Sequence, residues 1–231
     1  MVYFCKTKFY VEVMIRLVIF DLDGTLVNTI DDLAESVNFA LAKFDFPTHE
    51  REKFRYFVGN GIYKLIERAL PENCRDAETI GRVKEVFMEY YTCHCTEKSC
   101  VYEGIKELLQ KLKNQDIKLA VASNKVHPAA VMVVEHFFCE SCFDTILGHR
   151  DGHPTKPNPE VVFEIMERCG VEKSEVLYVG DSGVDMQTAH NAEVTSIGVT
   201  WGLRTREELE ENLANYIVDN PCEIAKIAKV F

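Results

Sequence analysis

Residues 15–26 read IRLVIFDLDGTL, an apolar run that ends abruptly at Asp21. Consecutive apolar residues without polar alternation are typical of a short strand that is buried on both faces of a parallel sheet. Two later segments repeat the pattern: residues 117–122 before Ser123, and residues 176–179 before Gly180 and Asp181. These three segments predict the centre of a buried parallel sheet.

Strand-like and helix-like segments alternate along most of the remaining chain. Shorter apolar runs at residues 145–147, 194–199 and 216–218 predict three further strands. The segments with helical character are residues 104–113, 128–137, 159–169, 185–192 and 205–213. This alternation predicts an α/β fold with a Rossmann-like, doubly wound parallel sheet that carries helices on both faces.

A long insertion interrupts the alternation after the first strand. About 80 residues separate that strand from the next helix of the series, far more than an ordinary crossover needs. Three segments in the gap have helical periodicity, at residues 30–41, 62–70 and 80–91. Thr29 and Asp32 have the spacing of a capping box at the start of the first. We therefore predict an inserted, all-helical cap domain.

These observations divide the chain into three predicted parts. Residues 14–27 and 98–231 form the α/β core, and residues 28–97 form the cap. Residues 1–13 are interpreted as an N-terminal extension. Within it, Phe9, Val11 and Val13 alternate like an edge strand.

The charge of the chain excludes several classes of partner. Among 231 residues, 37 Asp and Glu stand against 26 Lys and Arg, a formal net charge of −11 that repels nucleic acids and anionic membrane surfaces. No apolar run is long enough to span a bilayer, and the first thirteen residues lack the pattern of a secretory signal. We expect a cytoplasmic protein, monomeric or homodimeric, that binds neither nucleic acid nor membrane.

The nine cysteines favour reduced thiols, because their number is odd and a chain of this size does not need disulfides for stability. Two clusters offer an alternative, a zinc site that would form only if the fold joined them: Cys93, His94, Cys95 and Cys100 in one, and Cys139 and Cys142 in the other. Neither cluster has a partner at finger-like spacing. Free, partly buried thiols are the preferred interpretation.

Polar side chains follow three of the predicted strands. Asp21, Ser123 and Asp181 stand at their carboxyl ends, which is the edge of a parallel sheet where ligands bind. Asp23 and Asp185 lie a few residues further on. Clustered carboxylates need a positive counter-charge, and Mg²⁺ is the usual hard cation where phosphate is also bound. Lys156, between Thr155 and Pro157, supplies a fixed positive charge.

The motifs resemble those of the haloacid dehalogenase (HAD) superfamily. DLDGTL at residues 21–26 is similar to its first signature, and Ser123, Lys156 and GDSGVD at residues 180–185 are similar to the other three, in the same order. The helical insertion resembles the cap of the phosphoglycolate phosphatase subgroup. That likeness is carried by VGNG at residues 58–61, ERAL at residues 67–70 and VTWGLRTREEL at residues 199–209.

The resemblance implies a role for each matching residue. Asp21 would be the nucleophile that forms an aspartyl-phosphate, and Asp23 the general acid and base. The phosphate-binding groups would be Gly24, Ser123, Asn124 and Lys156. The Mg²⁺ ligands would be Asp21, Asp23 through its carbonyl, Asp181 and Asp185. The cap residues that set substrate specificity would be Gly59, Asn60, Gly61 and Arg68.

The expected function is therefore that of a Mg²⁺-dependent phosphatase for a small phosphorylated metabolite, with 2-phosphoglycolate as the first candidate. The acid-base Asp23 argues against dehalogenation, because a halide needs no proton to leave. Three alternatives share the same core: an inorganic pyrophosphatase, a nucleotidase and a sugar-phosphate phosphatase. A phospho-acceptor signalling module is the alternative from a different class, since it also combines an acceptor Asp with Mg²⁺ ligands and a Lys.

Overall fold

The computed structural model of the chain describes residues 14–229. The predicted extension at residues 1–13, with the edge-strand pattern of Phe9, Val11 and Val13, lies outside the described residues. The strands are β1 (Leu17–Phe20), β2 (Val27–Asn28), β3 (Cys100–Val101), β4 (Lys118–Val126), β5 (Thr145–His149), β6 (Val176–Gly180), β7 (Thr195–Val199) and β8 (Tyr216–Val218).

The α-helices fall into two groups along the chain. Those of the insertion are α1 (Ile30–Ala42), α2 (Phe54–Phe57), α3 (Gly61–Ala69) and α4 (Ala77–His94). Those that follow it are α5 (Ile105–Lys113), α6 (His127–Phe137), α7 (Glu160–Cys169), α8 (Gly183–Ala192), α9 (Arg206–Glu211) and α10 (Pro221–Ile227). Within residues 14–229, no helix has the length and apolar character needed to cross a membrane.

Six strands form one parallel sheet in the order β5-β4-β1-β6-β7-β8. At its centre, all four residues of β1 are completely buried. Alternate side chains of a strand face opposite sides of the sheet, and both sides of this sheet are covered. Leu17 and Ile19 join the apolar cluster with α7 and α8, whereas Val18 and Phe20 join the cluster with α5, α6 and α10. The predicted doubly wound α/β fold is confirmed.

The order of the strands places a binding crevice beside β1. The chain fills one side of β1 with β4 and β5, and then returns to place β6, β7 and β8 on the other side. Loops at the carboxyl ends of β1 and β6 therefore leave in opposite directions. In open α/β sheets, ligands bind in the crevice that such a reversal creates.

The inserted segment is helical, as the sequence predicts. α1 packs along α4, and α3 packs against α4 on the side nearer the sheet. A short antiparallel pair, β2 with β3, joins the chain where it leaves the core to where it returns, with Val27 opposite Val101 and Asn28 opposite Cys100. Of the predicted cap boundaries, residue 28 lies within this pair and residue 97 lies three residues before β3.

The capping box predicted for Thr29 and Asp32 is wrong. Thr29 precedes α1, but its side chain makes no capping hydrogen bond. The carboxylate of Asp32 instead accepts hydrogen bonds from the backbone N–H of Lys98 at 2.9 Å and from that of Ser99 at 2.8 Å, as well as from the Ser99 hydroxyl. These long-range donors use both oxygens of Asp32, which therefore fastens α1 to the segment that returns to the core.

One predicted strand boundary also needs correction. The sequence predicts that the strand ends at residue 122, before Ser123, but β4 continues to Val126. The pairing of β4 with β5 shifts register between Ala122 and Val126, so the chain stays extended although its ladder is interrupted. As a result, Ser123, Asn124 and Lys125 lie on extended backbone at the carboxyl edge of the sheet.

Candidate active site

Three buried carboxylates meet at the crevice beside β1. Asp21 follows β1, Asp181 follows β6, and Asp185 lies on the first turn of α8. One oxygen from each of the three lies within 4.8 Å of one from each of the others, and the three residues are 8%, 2% and 1% exposed. The convergence predicted from the strand ends is therefore present. The carboxylate of Asp181 can lie this close to the turn after β1 because residue 24 is a glycine, with φ of +91°: a Cβ there would lie 2.3 Å from Asp181 Oδ2.

Lys156 lies inside this cluster of carboxylates. Its Nζ donates to Asp21 Oδ1 at 2.8 Å, to Asp185 Oδ1 at 2.8 Å and to the carbonyl of Ala122 at 2.9 Å. Burial lowers the pKa of Lys156, but the attraction of Asp185 and Asp21 outweighs burial and holds the pKa well above its ordinary value. An ammonium ion with all three hydrogens engaged keeps Asp21 in one orientation.

The negative charge of the cluster exceeds its positive charge. Burial, with added repulsion from Asp185, raises the pKa of Asp21 to about 7 in spite of the attraction of Lys156. Burial, followed by repulsion from Asp185 and Asp21, raises the pKa of Asp181 well above its ordinary value. The site therefore favours uptake of positive charge, either as protons or as a cation.

The donor set fits a hard divalent cation. All the candidate ligands are carboxylate oxygens, which suit Mg²⁺ or a similar ion, and one ammonium group does not neutralise three carboxylates. Within residues 14–229, the group of Asp21, Asp181 and Asp185 is the only cluster of three or more possible ligands at this spacing. No cysteine of that stretch joins such a group, so the zinc alternative finds no support, and its cysteines are free thiols.

Asp23 occupies a separate position with its own partners. Lys125 Nζ donates to Asp23 Oδ1 at 2.8 Å and to Oδ2 at 2.9 Å, and the Thr29 hydroxyl donates to Oδ1 at 2.6 Å. The second function of Thr29 explains why it does not cap α1. Three hydrogen bonds hold the Asp23 carboxylate in place at the mouth of the site.

Sequence reasoning missed Lys125 and Thr29. One signal for Lys125 was available: it lies two residues after Ser123 on extended chain, and residues two apart in a strand face the same side. Lys125 is only 9% exposed, which is rare for a lysine without a specific partner. Thr29 had no such signal, because its spacing to Asp32 matched an ordinary helix start.

Ser123 and Asn124 lie at the crevice, as predicted. The Ser123 hydroxyl oxygen accepts the backbone N–H of Lys125 at 3.2 Å and lines the crevice. The Asn124 side chain accepts from the Lys156 N–H at 2.8 Å and donates to the Lys156 carbonyl at 3.1 Å. Asn124 therefore positions the loop that carries Lys156.

One predicted phosphate-binding group is already engaged. The backbone N–H of Gly24 donates to the carbonyl of Val27 at 2.9 Å, within the turn after β1. This hydrogen bond removes the amide from the set of donors that the resemblance implied. What Gly24 contributes in this structure is the space that Asp181 occupies.

The four cap residues predicted to set specificity separate into two pairs. Gly59 and Gly61 line the crevice, and Gly61, with φ of +81°, approaches so closely that a Cβ would lie 3.4 Å from the carbonyl oxygen of Asn124. Asn60 and Arg68 are not among the lining residues. Arg68 donates to Asn60 Oδ1 at 2.8 Å and to the backbone carbonyls of Phe57 and Tyr56. That pair therefore stabilises the loop.

Hydrogen bonds join this cap loop to the core. Asn124 Nδ2 donates to the carbonyl of Gly59 at 3.1 Å, and Arg204 Nη2 donates to the carbonyl of Val58 at 2.8 Å. In the opposite direction, Arg55 donates to the carbonyls of Gly202 and Leu203. The cap is therefore closed over the crevice.

The closed crevice, called the cleft below, contains about 700 Å³ of space, part of it open to solvent. Its core end is polar and is lined by Asp21, Asp23, Ser123, Asn124, Lys125 and Asp181. Its cap end is mostly apolar. The apolar lining residues are Leu33, Val58, Ile62, Leu65, Phe87, Met88, Val126, Ala129 and Leu203. The remaining polar lining residues are Tyr91, Ser182 and Arg204.

Known proteins resemble this chain over nearly its whole length. The profile of the haloacid dehalogenase-like hydrolases matches residues 18–199. A phosphoglycolate phosphatase from Mannheimia succiniciproducens is 34% identical over 219 residues, which cover 92% of this chain and 97% of that protein. A second one, from Pasteurella multocida, is 33% identical over 218 residues with the same coverage.

Solved structures show the same similarity. The crystal structure of a predicted phosphoglycolate phosphatase from Haemophilus somnus superimposes with a TM-score of 0.86 at 30% identity, and covers 92% of this chain and 97% of its own. That of a predicted phosphatase from Clostridium acetobutylicum gives a TM-score of 0.84 at 30% identity, with coverage of 94% and 100%.

Proposed function

Because this chain belongs to the haloacid dehalogenase-like hydrolases, we propose that it is a Mg²⁺-dependent phosphatase that hydrolyses 2-phosphoglycolate through an aspartyl-phosphate. The similarity to known proteins by itself identifies the chain as a phosphoric monoester hydrolase of this family. The observation that carries the proposal is the pair of differently held aspartates: Asp21 in the buried cluster with Lys156, and Asp23 on the separate Lys125.

In the first half-reaction, an oxygen of Asp21 attacks the phosphorus in line and the ester oxygen departs. Lys156 fixes the attacking carboxylate and places positive charge beside the phosphoryl group, which electrostatic stabilisation of the transition state requires. Asp23, in its carboxylic acid form, gives its proton to the departing oxygen and is left as the carboxylate. In the second half-reaction, the same carboxylate takes a proton from the water that hydrolyses the aspartyl-phosphate.

The carboxylates of Asp21 and Asp181 and the carbonyl of Asp23 would hold the Mg²⁺. Bound there, the ion would supply the positive charge that balances the phosphoryl oxygens and the excess of carboxylates. We assign Asp185 mainly to Lys156 and to the start of α8, because its oxygens also accept from the N–H and hydroxyl of Ser182. The hydroxyl of Ser123 and the backbone N–H of Asn124 would bind phosphoryl oxygens.

The closed cap favours turnover over storage of the phosphoryl group. A phospho-acceptor signalling module must keep its aspartyl-phosphate, whereas here a second carboxylate stands ready to activate water beside Asp21. Exclusion of bulk water by the cap strengthens every charge interaction within the cleft. The cytoplasmic location and the monomeric or homodimeric state stay predictions.

Substrate competition tests the proposed function. We expect Mg²⁺-dependent release of phosphate from 2-phosphoglycolate, with a kcat/KM at least about tenfold above those for pyrophosphate, nucleoside monophosphates and hexose phosphates, because a tenfold ratio reflects one well-made polar contact. The measurement is a panel of initial rates with and without EDTA. A stable acyl-phosphate without turnover would instead favour the signalling module, and a higher rank for another substrate would reject phosphoglycolate.

The acidic cluster predicts an unusual pH dependence of stability in the metal-free protein. The folded-state pKa of Asp21 is raised from 3.8 to about 7, so its stabilising state is the protonated one, which is lost as pH rises through that range. We expect the EDTA-treated protein to melt at a lower temperature at pH 8 than at pH 5, because its free energy of unfolding should be lower at pH 8 by on the order of a few kcal/mol. Mg²⁺ should raise the melting temperature more at pH 8.

The matched control is Asp21→Asn, which keeps the shape of the side chain without its titration. The difference in melting temperature between wild type and this variant should grow from pH 5 to pH 8 when EDTA is present. A constant difference would show that Asp21 does not carry the effect, and no response to Mg²⁺ at either pH would contradict the metal site.

A further inference from the structure

Two polar groups from opposite sides of the cleft meet next to Asp23. Lys125 belongs to β4 of the core, and Tyr91 lies near the end of the cap helix α4. Lys125 Nζ lies 5.0 Å from the centre of the Tyr91 ring, and both residues line the cleft. Tyr91 is only 2% exposed.

The hydroxyl of Tyr91 lacks a hydrogen-bond partner among the residues that the structure describes. An unpartnered hydroxyl in a buried apolar site lowers stability, and a phenylalanine would fill the same volume without that cost. The ring of Phe87 stacks on that of Tyr91, and Leu33 and Met88 line the same cleft; none of the three side chains carries an oxygen or nitrogen acceptor. The hydroxyl is therefore free to donate a hydrogen bond to a bound molecule.

Lys125 also has donor capacity left. Its ammonium group carries three hydrogens, and its two hydrogen bonds to oxygens both go to Asp23. The attraction between the ammonium and the Asp23 carboxylate keeps the lysine charged in spite of burial, and raises its pKa. A second anion that approached from the cleft would find one N–H of a buried cation and the O–H of Tyr91.

The position of these donors relative to the reacting atoms limits the ligand. Asp23 is the proposed acid for the ester oxygen, so that oxygen lies within hydrogen-bond distance of a carboxylate that Lys125 Nζ contacts at 2.8 Å. In 2-phosphoglycolate, the carboxylate carbon is only two covalent bonds from the ester oxygen. A leaving group of this length, bound to Asp23 through its ester oxygen, can reach Lys125 with its carboxylate.

We propose that Lys125 and Tyr91 form the subsite that binds the carboxylate of the leaving group. This inference rests on the proposed phosphatase function and specifies its substrate class: phosphate esters of short 2-hydroxy acids, in which the carboxylate is bonded directly to the ester carbon. The subsite is complete only with the cap closed, because Tyr91 belongs to the cap and Lys125 to the core.

Other cations near the cleft are less suited to this role. The guanidinium of Arg68 is engaged by loop carbonyls and by Asn60. Arg204 donates to the carbonyl of Val58 and lies 3.5 Å from Glu208, although its Nη1 has no partner among the described residues. Among the described residues, no hydrogen bond or ion pair joins Arg204 to Asp23. Arg204 lines the same cleft, however, and is therefore the competing site that the test must separate.

The test compares 2-phosphoglycolate with ethyl phosphate, which has the same leaving-group length but no carboxylate. For Tyr91→Phe, we expect kcat/KM for 2-phosphoglycolate to fall about 10- to 100-fold, the range for loss of a hydrogen bond to a charged group, and that for ethyl phosphate to fall much less. The melting temperature should not fall, since the hydroxyl makes no hydrogen bond among the described residues that the change would remove.

The matched control is Tyr90→Phe, one residue earlier on α4. Tyr90 stacks on Phe39 and His94, and it is not among the residues that line the cleft. This variant should leave the ratio of the two kcat/KM values unchanged. In contrast, Arg204→Gln should change that ratio only if Arg204, and not the Lys125–Tyr91 pair, binds the carboxylate.

Each failure has its own signature. If wild type prefers 2-phosphoglycolate over ethyl phosphate and Tyr91→Phe keeps that preference, the subsite proposal is overturned while the proposed function stands. An equal loss with both substrates would give Tyr91 a purely structural role and overturn the proposal in the same way. If wild type shows no preference, the proposed substrate is rejected together with its subsite.

Discussion

Replacement of Asp21 by asparagine should abolish turnover, with a loss in kcat of roughly 10⁴-fold or more, the scale seen when a catalytic nucleophile is removed. An amide oxygen cannot form the aspartyl-phosphate, and Lys156 loses one of its two carboxylate partners. The measurement is phosphate release under saturating substrate and Mg²⁺. Rapid-quench trapping of a labelled phosphoenzyme should detect the acyl-phosphate in wild type and none in the variant.

The fold of Asp21→Asn is expected to survive, because the change removes a buried carboxylate whose ionised form is disfavoured by burial and by repulsion from Asp185. A normal or higher melting temperature in EDTA would therefore accompany the loss of activity. Retention of more than a few per cent of wild-type kcat in a homogeneous preparation would contradict nucleophilic catalysis by Asp21. It would favour direct attack by water.

Replacement of Asp23 by alanine should lower kcat by about 10²- to 10⁴-fold for an alkyl phosphate, the usual contribution of a positioned acid or base. The loss should be much smaller with a dinitrophenyl phosphate, whose acidic leaving group departs without a proton. Steady-state kinetics with both esters gives the comparison. The same factor for both would contradict an acid role for Asp23.

Asp23→Ala also leaves the ammonium of Lys125 buried without its carboxylate partner, which destabilises the protein. The double variant Asp23→Ala with Lys125→Met removes that unpaired charge and serves as the folded reference. If the double variant melts normally and still discriminates between the two esters as the single variant does, the kinetic loss belongs to the missing acid and not to misfolding.

The fold and the centre of the site were predictable because their signals are local. Burial on both faces makes β1 a continuous apolar run, and the polar residue that follows each such run must lie at the edge of the sheet. That rule identified Asp21 and Asp181 although about 160 positions separate them along the chain. Because β1 and β6 are neighbours in the sheet, the two side chains meet, with one carboxylate oxygen of each within 4.8 Å of the other.

The partners of Asp23 could not be predicted in the same way. Thr29 and Asp32 satisfy a local rule for helix starts. The rule was wrong here because both side chains bind groups outside α1: Thr29 binds Asp23, and Asp32 binds the backbone at Ser99. Nothing in the sequence near Tyr91 indicates an unpartnered hydroxyl, which is a property of the packed cap. Such pairings follow from tertiary structure alone.

Arg68 shows what position along the sequence leaves out. Its charge and its place on α3 made it a candidate for binding a substrate carboxylate, but its guanidinium donates to Phe57, Tyr56 and Asn60. A guanidinium has five N–H donors, and three hydrogen bonds of Arg68 go to acceptors of this loop, which already fix its side chain. Sequence position gave its distance along the helix but not which acceptors lay nearest.

The hydrogen bonds of Asp32 to Lys98 and Ser99, next to the β2–β3 pair, bear on how the inserted segment can vary between proteins of this fold. Both ends of the insertion pass through one narrow stem, with Asn28 opposite Cys100. A segment attached through neighbouring points can be exchanged for one of another length without disturbing the strands, since loops that begin and end together tolerate replacement. The β2–β3 pair is thus an attachment point at which a different inserted segment can replace this one, while the catalytic residues of the core stay in place.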